Sequence, residues 1–172
     1  MSSPTLEVKR LDTEVIERDD RIRDNIVSLE QQINTFNAER GLAEPDCPLI
    51  HAFAPGVYGR QIFIPKDTLV VGKIHKHAHL NFLMQGKVLV ATEEGPKTYE
   101  APLMMVSKAG TKRVVYTYTD TIWATVHLTQ QTDLEKIEDE IIAKSFGEFD
   151  ALQDPDVQSL LIAVKESQEV PL

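Results

Sequence analysis

From residue 49 to residue 129 the chain is a succession of short β-branched and aromatic runs, each closed by a turn signal and none long enough for a helix. The runs are Gln61–Pro65, Thr68–Ile74, Leu80–Met84, Lys87–Thr92, Leu103–Ser107, Arg113–Tyr118 and Thr121–Leu128. Between them stand Pro55-Gly56, Pro65-Lys66-Asp67, Gln85-Gly86, Glu94-Gly95-Pro96, Ala109-Gly110 and Thr119-Asp120. Strands this short bury an apolar face only by stacking two sheets or by closing a barrel. The expectation for 42–129 is therefore a mainly β barrel or sandwich.

Helical patterns flank it. In residues 12–40, Val15, Ile22, Ile26, Leu29, Ile33 and Phe36 recur, from Ile22 onward at alternating four- and three-residue steps. That is heptad spacing on an amphipathic helix. Asp12 and Thr13 are candidate N-caps, and Gly41 supplies a left-handed stop. Asp19 interrupts the seam, so two readings stay open for the arm 1–41: a helix lying on the barrel, or a self-associating coiled coil. The segment 130–172 returns to helix. Thr132-Asp133 caps a run through Leu134, Ile137, Ile141 and Ile142 to about Ser145, and a weaker amphipathic stretch covers 156–164.

Net charge is −9 over 172 residues, which argues against nucleic-acid phosphates or anionic membranes as general partners. Lys108, Lys112 and Arg113 read as a solvated loop, and Glu93-Glu94 and Glu138-Asp139-Glu140 as solvated turn and helix faces. The lone Cys47 reads as a packed thiol and forbids an intrachain disulfide. No basic-then-apolar leader opens the sequence and no apolar run is long enough to span a bilayer, so the expected location is cytoplasmic, or the virion if the gene is viral.

Three histidines, His75, His77 and His79, alternate within Gly72–Gly86. Alternate strand residues share a face. A continuous strand would hold His75 and His79 about 13 Å apart, too far for one metal ion, unless the chain turns between them. His127 lies in the strand Thr121–Leu128, in phase with Trp123 and Thr125. Tyr58, Arg60, Asn81, Arg113 and Tyr116 are side-chain types that grip carboxylates, phosphates or sugars.

The stretch from Gly72 to Gly86, with its hairpin Phe82-Leu83-Met84-Gln85-Gly86-Lys87-Val88, resembles the first motif of the cupin superfamily: Gly, five residues, His-x-His, three or four residues, Glu, six residues, Gly. Counting back from Gly86 puts His79 in the glutamate slot, His75 in the second histidine slot and Lys73 in the first. This register implies a strand break near Lys76–Ala78, with His75 and His79 facing each other and His77 in the turn. The alternative register makes His75-Lys76-His77 the histidine pair and loses Gly86. The second motif is matched at Gly110, while Pro102, Lys108, Arg113 and Thr117 fill its other positions. The resemblance spans about Val57 to His127 and implies a jelly-roll barrel. The family's third metal histidine is missing, with Arg113 in that slot. His127, from its strand's phase, is the expected replacement, so that His75, His79 and His127 would hold one divalent transition metal (zinc, iron, nickel or manganese). Tyr58, Arg60, Asn81 and Arg113, by side-chain type, are the expected ligand pocket.

Two functions follow as expectations. Motif one, the Gly110–Val114 turn and the Asp120–His127 strand resemble cupin-fold proteins of tailed bacteriophages. With the incomplete ligand set and the apolar seam of the arm, the expectation is a non-enzymatic homo-oligomer joined through residues 12–40, phage-associated by that resemblance, either a virion component meeting other virion proteins or a small-ligand binder. The alternative is a metal-dependent enzyme acting on a small polar or anionic substrate at the three histidines. A barrel filled by Phe82, Leu83, Met84 and Trp123 would favour the first, and three histidines around one point inside an open barrel the second.

Overall fold

A computed structural model of the chain describes residues 4–41, 45–155 and 158–159. Helix α1 spans Pro4–Arg40. Eleven strands are described: β1 (Leu49–Ala54), β2 (Val57–Ile64), β3 (Leu69–Val71), β4 (Ile74–His75), β5 (His79–Gln85), β6 (Lys87–Thr92), β7 (Gly95–Glu100), β8 (Leu103–Ser107), β9 (Val114–Thr117), β10 (Thr121–Leu128) and β11 (Ile142–Ala143). Helices α2 (Leu134–Ile141) and α3 (Phe146–Gln153) flank β11. The strands form a five-stranded sheet in the order β1-β2-β10-β5-β8, a four-stranded sheet β3-β9-β6-β7 and a two-stranded sheet β11-β4. Every pairing is antiparallel. Two facing antiparallel sheets of short strands are the jelly-roll arrangement.

Cross-strand register sorts the interior into layers. Trp123 lies opposite Ile62 and Leu83, Thr125 opposite Arg60 and Asn81, and His127 opposite Tyr58. The first layer joins Val88, Val90 and Val115 from the other sheet in the apolar core. The next is polar, and the last carries imidazoles. On β5 the inward residues are His79, Asn81 and Leu83, all buried, while Met84 is exposed. Of the four residues whose filling of the barrel would favour the non-enzymatic reading, strand alternation sends Phe82 and Met84 outward, and Leu83 with Trp123 closes that end.

Two glycines fix the site's turns. Gly86 has φ +99°, and a Cβ there would stand 2.6 Å from Thr121 Oγ1. Gly110 has φ +78°, and a Cβ would lie 2.4 Å from the Phe149 ring. Both positions combine left-handed backbone with a contact only glycine allows. The Gly110 amide also donates to the His75 carbonyl at 2.9 Å, tying the β8–β9 loop to β4.

Helix α1 begins before its expected caps: Asp12 and Thr13 lie inside it. Gly41 ends it with φ +59°, its amide donating to the Ala38 carbonyl. Ile26 is buried, Ile22, Leu29 and Ile33 are half-buried, and Phe36 is exposed beneath the Arg40 guanidinium. The Val15 side chain lies outside the described set. Polar ties run from the helix to the barrel. Glu30 pairs at 3.0 Å with Lys112, whose side chain is 8% exposed. Arg23 lies 3.7 Å from Glu93, 3.5 Å from Asp150 and over the Phe146 ring. Lys112 and Glu93 are therefore not on solvated turns, because the helix covers the loops that carry them, and Arg113 is not in a solvated loop because it turns into the barrel onto Asn81 and Ser107. Lys108 is exposed, paired with Glu94.

The C-terminal run is also broken differently from expectation. Asp133 caps α2 by accepting from the Glu135 and Lys136 amides. The helix then stops at Ile141, and β11 pairs Ile142 with His75 and Ala143 with Ile74. Ser145 caps α3, whose Phe149 packs on Ile74 and Ala143. Most of the expected 156–164 helix lies outside the described residues. No described helix is long and apolar enough to cross a membrane.

Candidate metal centre

Strand β4 ends at His75, residues 76–78 bend, and β5 begins at His79. The short β4 leaves the larger sheets and is held by β11, so His75 turns back toward His79 instead of running on along one strand. His127 comes from β10, two residues beyond Thr125 on the inward face. The ring centroids of His75 and His79 are 4.1 Å apart, those of His75 and His127 5.1 Å, and those of His79 and His127 4.6 Å. One nitrogen from each ring lies within 4.8 Å of the other two. Two zinc–nitrogen bonds span at most about 4.2 Å, so sharing one ion needs side-chain movements of under about 1 Å. His77 is exposed in the bend.

The protonation pattern suits ligation. His79 Nδ1 lies 3.2 Å from the His77 carbonyl, which can only accept. Nδ1 therefore carries the hydrogen, and Nε2 is left with a lone pair. That Nε2 is buried without a hydrogen-bond partner among the described residues. A carbonyl fixing one ring nitrogen so that the other can bind a cation is the usual support of a metal histidine. Burial, then the His79 and His127 rings, then Arg113 and Arg60, push His75 down to about 2. Burial, then His79 and Arg60, push His127 down to about 4. Burial lowers His79 too, partly opposed by its bond to the His77 carbonyl. All three are neutral at physiological pH, the form that binds metal.

A pH dependence of stability follows. In the unfolded chain these histidines titrate near 6.5, and in the folded metal-free chain well below it. Above pH 6.5 both states are neutral and the shift contributes nothing. As pH falls below 6.5 the unfolded state takes up protons that the folded state refuses, so stability is lost. The limit is about 1.4 kcal/mol per pH unit for each histidine. Urea melts of metal-free protein should show a lower midpoint at pH 5 than at pH 7. Equal midpoints would show the imidazoles to be ordinarily basic.

The other residues named from sequence divide into three groups. Tyr58 is buried beside the cluster, its ring 6.2 Å from that of His127 and its hydroxyl 2.7 Å from His51 Nδ1. It packs with Ile137, Ile141 and Ile142, which cover this end of the barrel. Asn81 is fully buried and its amide is committed: Nδ2 donates to Ser107 Oγ at 2.7 Å, while Oδ1 accepts from Trp123 Nε1 at 2.9 Å and from Arg113 Nη1 at 3.1 Å. Arg113 also donates to Ser107 Oγ. Arg60 differs from both. It is half-buried on the inward face of β2 and makes no hydrogen bond or ion pair among the described residues, yet it lies close enough to depress His75 and His127.

Arg60, Asn81, Arg113, His75, Thr125 and Trp123 are among the walls of an interior cavity of about 110 Å³, which no carboxylate lines. Lys73, in the slot where a ligand histidine was sought, is half-exposed and paired with Glu138. Tyr116 points elsewhere, donating to Asp67. Sequence reasoning missed Ser107, the shared partner of Asn81 and Arg113, although its alternation with Leu103 and Met105 on β8 marks it as inward.

No protein-family model matches the sequence, and no curated protein matches it. Among solved structures the fold is similar to a cupin domain from Bordetella pertussis Tohama I, at 15% identity and TM-score 0.41, covering 51% of this chain and 97% of that one. It is also similar to a putative ethanolamine utilization protein from Salmonella typhimurium LT2 (11% identity, TM-score 0.43, 49% and 71% covered). An acetylacetone dioxygenase from Acinetobacter johnsonii is a third (20% identity, TM-score 0.39, 48% and 58% covered).

Proposed function

We propose that this chain is a cupin-type metalloprotein in which His75, His79 and His127 hold one divalent transition metal, and Arg60 receives a small anionic ligand. The observation that carries the proposal is the gathering of three ring nitrogens within 4.8 Å of one another, with His79 Nε2 buried, deprotonated and without a partner among the described residues. An ion bound there would supply Lewis acidity, or a redox centre if iron, with a position left open.

The ligand class follows from charge. Three neutral imidazoles leave the dication's charge uncompensated. The adjoining cavity adds Arg60 and Arg113 and offers no carboxylate. Of the two guanidiniums, Arg113 is occupied by Asn81 and Ser107, so Arg60 is the one free to fork onto a carboxylate or similar oxyanion. The cavity of about 110 Å³ limits the bound part to a few non-hydrogen atoms. Arg60 would bind and orient that anion, and Ile62, Ile64 and Val70 would exclude water around it.

The test is cobalt(II) titration of untagged, metal-free protein, followed by visible absorption. One equivalent should give ligand-field bands, and acetate should shift them. Arg60→Met should keep the bands and weaken the acetate response about 10-fold or more, the loss of a charge-assisted pair. Absence of stoichiometric cobalt binding at micromolar protein would end the proposal.

A further inference from the structure

The outer face of the five-stranded sheet is apolar from edge to edge. We propose that it is the contact surface of a symmetric homodimer in which two copies pack sheet on sheet. Strand register sets its content. Leu80 lies opposite Val106 on one side and Val126 on the other, and Phe82 opposite Met104 and Ala124. Ile50 lies opposite Gln61 at the far edge. These are the residues that alternate with the inward His79, Asn81, Trp123 and His127, so the face is as firmly specified as the site behind it. The strand positions on it include Gln61 and Gln85 but no charged residue.

Nothing among the described residues covers this face. Val106 is 68% exposed, Met104 64%, Met84 56%, Leu128 82%, Ile50 59% and Leu80 39%. Together these six side chains leave on the order of 600 Å² in water, the upper end of the roughly 300–600 Å² of the largest patch on a typical monomer and most of the roughly 800 Å² per partner that a stable interface buries.

A second copy is the occupant that fits. A symmetric interface presents the same patch twice, so charges of one sign on the patch would be brought together. The strand positions of this face carry no charge to incur that penalty, in a chain whose net charge is −9. The same absence of basic residues removes the groups that would hold an anionic lipid surface or a phosphate backbone. Two such faces would stack about 10 Å apart with their methionines and branched side chains interdigitated. Association would then run through the barrel and not through residues 12–40, and it would be independent of the histidine site.

The test is sedimentation velocity on the full chain at micromolar concentration, with hydrogen peroxide oxidation of Met84 and Met104 in parallel. The parent should sediment at twice the 19.4 kDa chain mass, with both methionines slow to oxidise. The double variant Met104→Lys/Val106→Lys should dissociate at least about 100-fold more readily, because each lysine would be buried in an apolar interface without a counter-charge. Met84→Lys/Leu128→Lys changes the neighbouring strands and serves should the first variant fail to fold, with far-ultraviolet circular dichroism as the check. A monomeric parent overturns the proposal. So does a dimer that survives either folded variant. A monomer with protected methionines overturns it as well, since the chain's own undescribed residues would then be the cover.

Discussion

Replacing His79 by Gln should lower cobalt(II) affinity by at least about 100-fold, while His77→Gln leaves it unchanged. The contrast rests on two residues two positions apart. His79 is buried, its Nδ1 is fixed by the His77 carbonyl, and its Nε2 faces the other two rings. His77 is exposed in the bend and contributes its backbone carbonyl, which glutamine also carries. Loss of a supporting group around a metal histidine costs about 10–100-fold in affinity, and loss of the ligand itself should cost no less. Glutamine preserves bulk and a polar head, so the metal-free variant should remain folded, which a urea melt at pH 7 checks. Competition against a chromophoric chelator reads the affinity. If His77→Gln weakens binding as much as His79→Gln does, the exposed histidine is a ligand and the site lies at the surface. If neither variant changes it, cobalt binds away from the cluster.

How much of this was legible beforehand varies with the range of the interactions involved. The inward phase of His79, Asn81 and Leu83 follows from a period of two within one strand, which any extended segment obeys. The turn at residues 76–78 followed from counting back from Gly86, whose backbone only glycine adopts against Thr121. Strands β1 and β7 were missed for a local reason. Both are edge strands, where proline and weak alternation are tolerated, and Gly95-Pro96 opens β7 instead of merely interrupting the chain. The fates of Lys112 and Glu93 were beyond local reading, because helix α1 covers those loops from more than 60 residues away in sequence. Strand β11 is similar: Ile142 and Ala143 continue an apolar helical pattern until the edge of β4 offers its backbone as an alternative partner. Asn81 shows the same limit inside the site, since its type advertised a ligand-binding amide but Ser107, Trp123 and Arg113 occupy it.

That occupation makes Asn81→Leu the most informative stability variant. Leucine keeps asparagine's branching and heavy-atom count but is larger by roughly two methylenes, so an overpacking cost adds to the polar one. Three groups lose their partner at once: the Trp123 Nε1–H, one Arg113 N–H and the Ser107 hydroxyl's acceptor role toward Asn81. A buried donor left unpaired costs about 1–3 kcal/mol, and more when it is charged. Arg113 keeps Ser107 as an acceptor and borders the interior cavity, where water can reach it, so its loss is moderated. The expected destabilisation is about 2–4 kcal/mol in urea melts at pH 7. Asn81→Asp retains an acceptor for both Arg113 and Trp123 and adds a charge beside the guanidinium, so it should be milder than Asn81→Leu at pH 7. A leucine variant within about 0.5 kcal/mol of the parent, the scatter expected of an inert surface change, would mean that the amide network contributes little to stability. The layer between core and imidazoles would then be held chiefly by apolar packing.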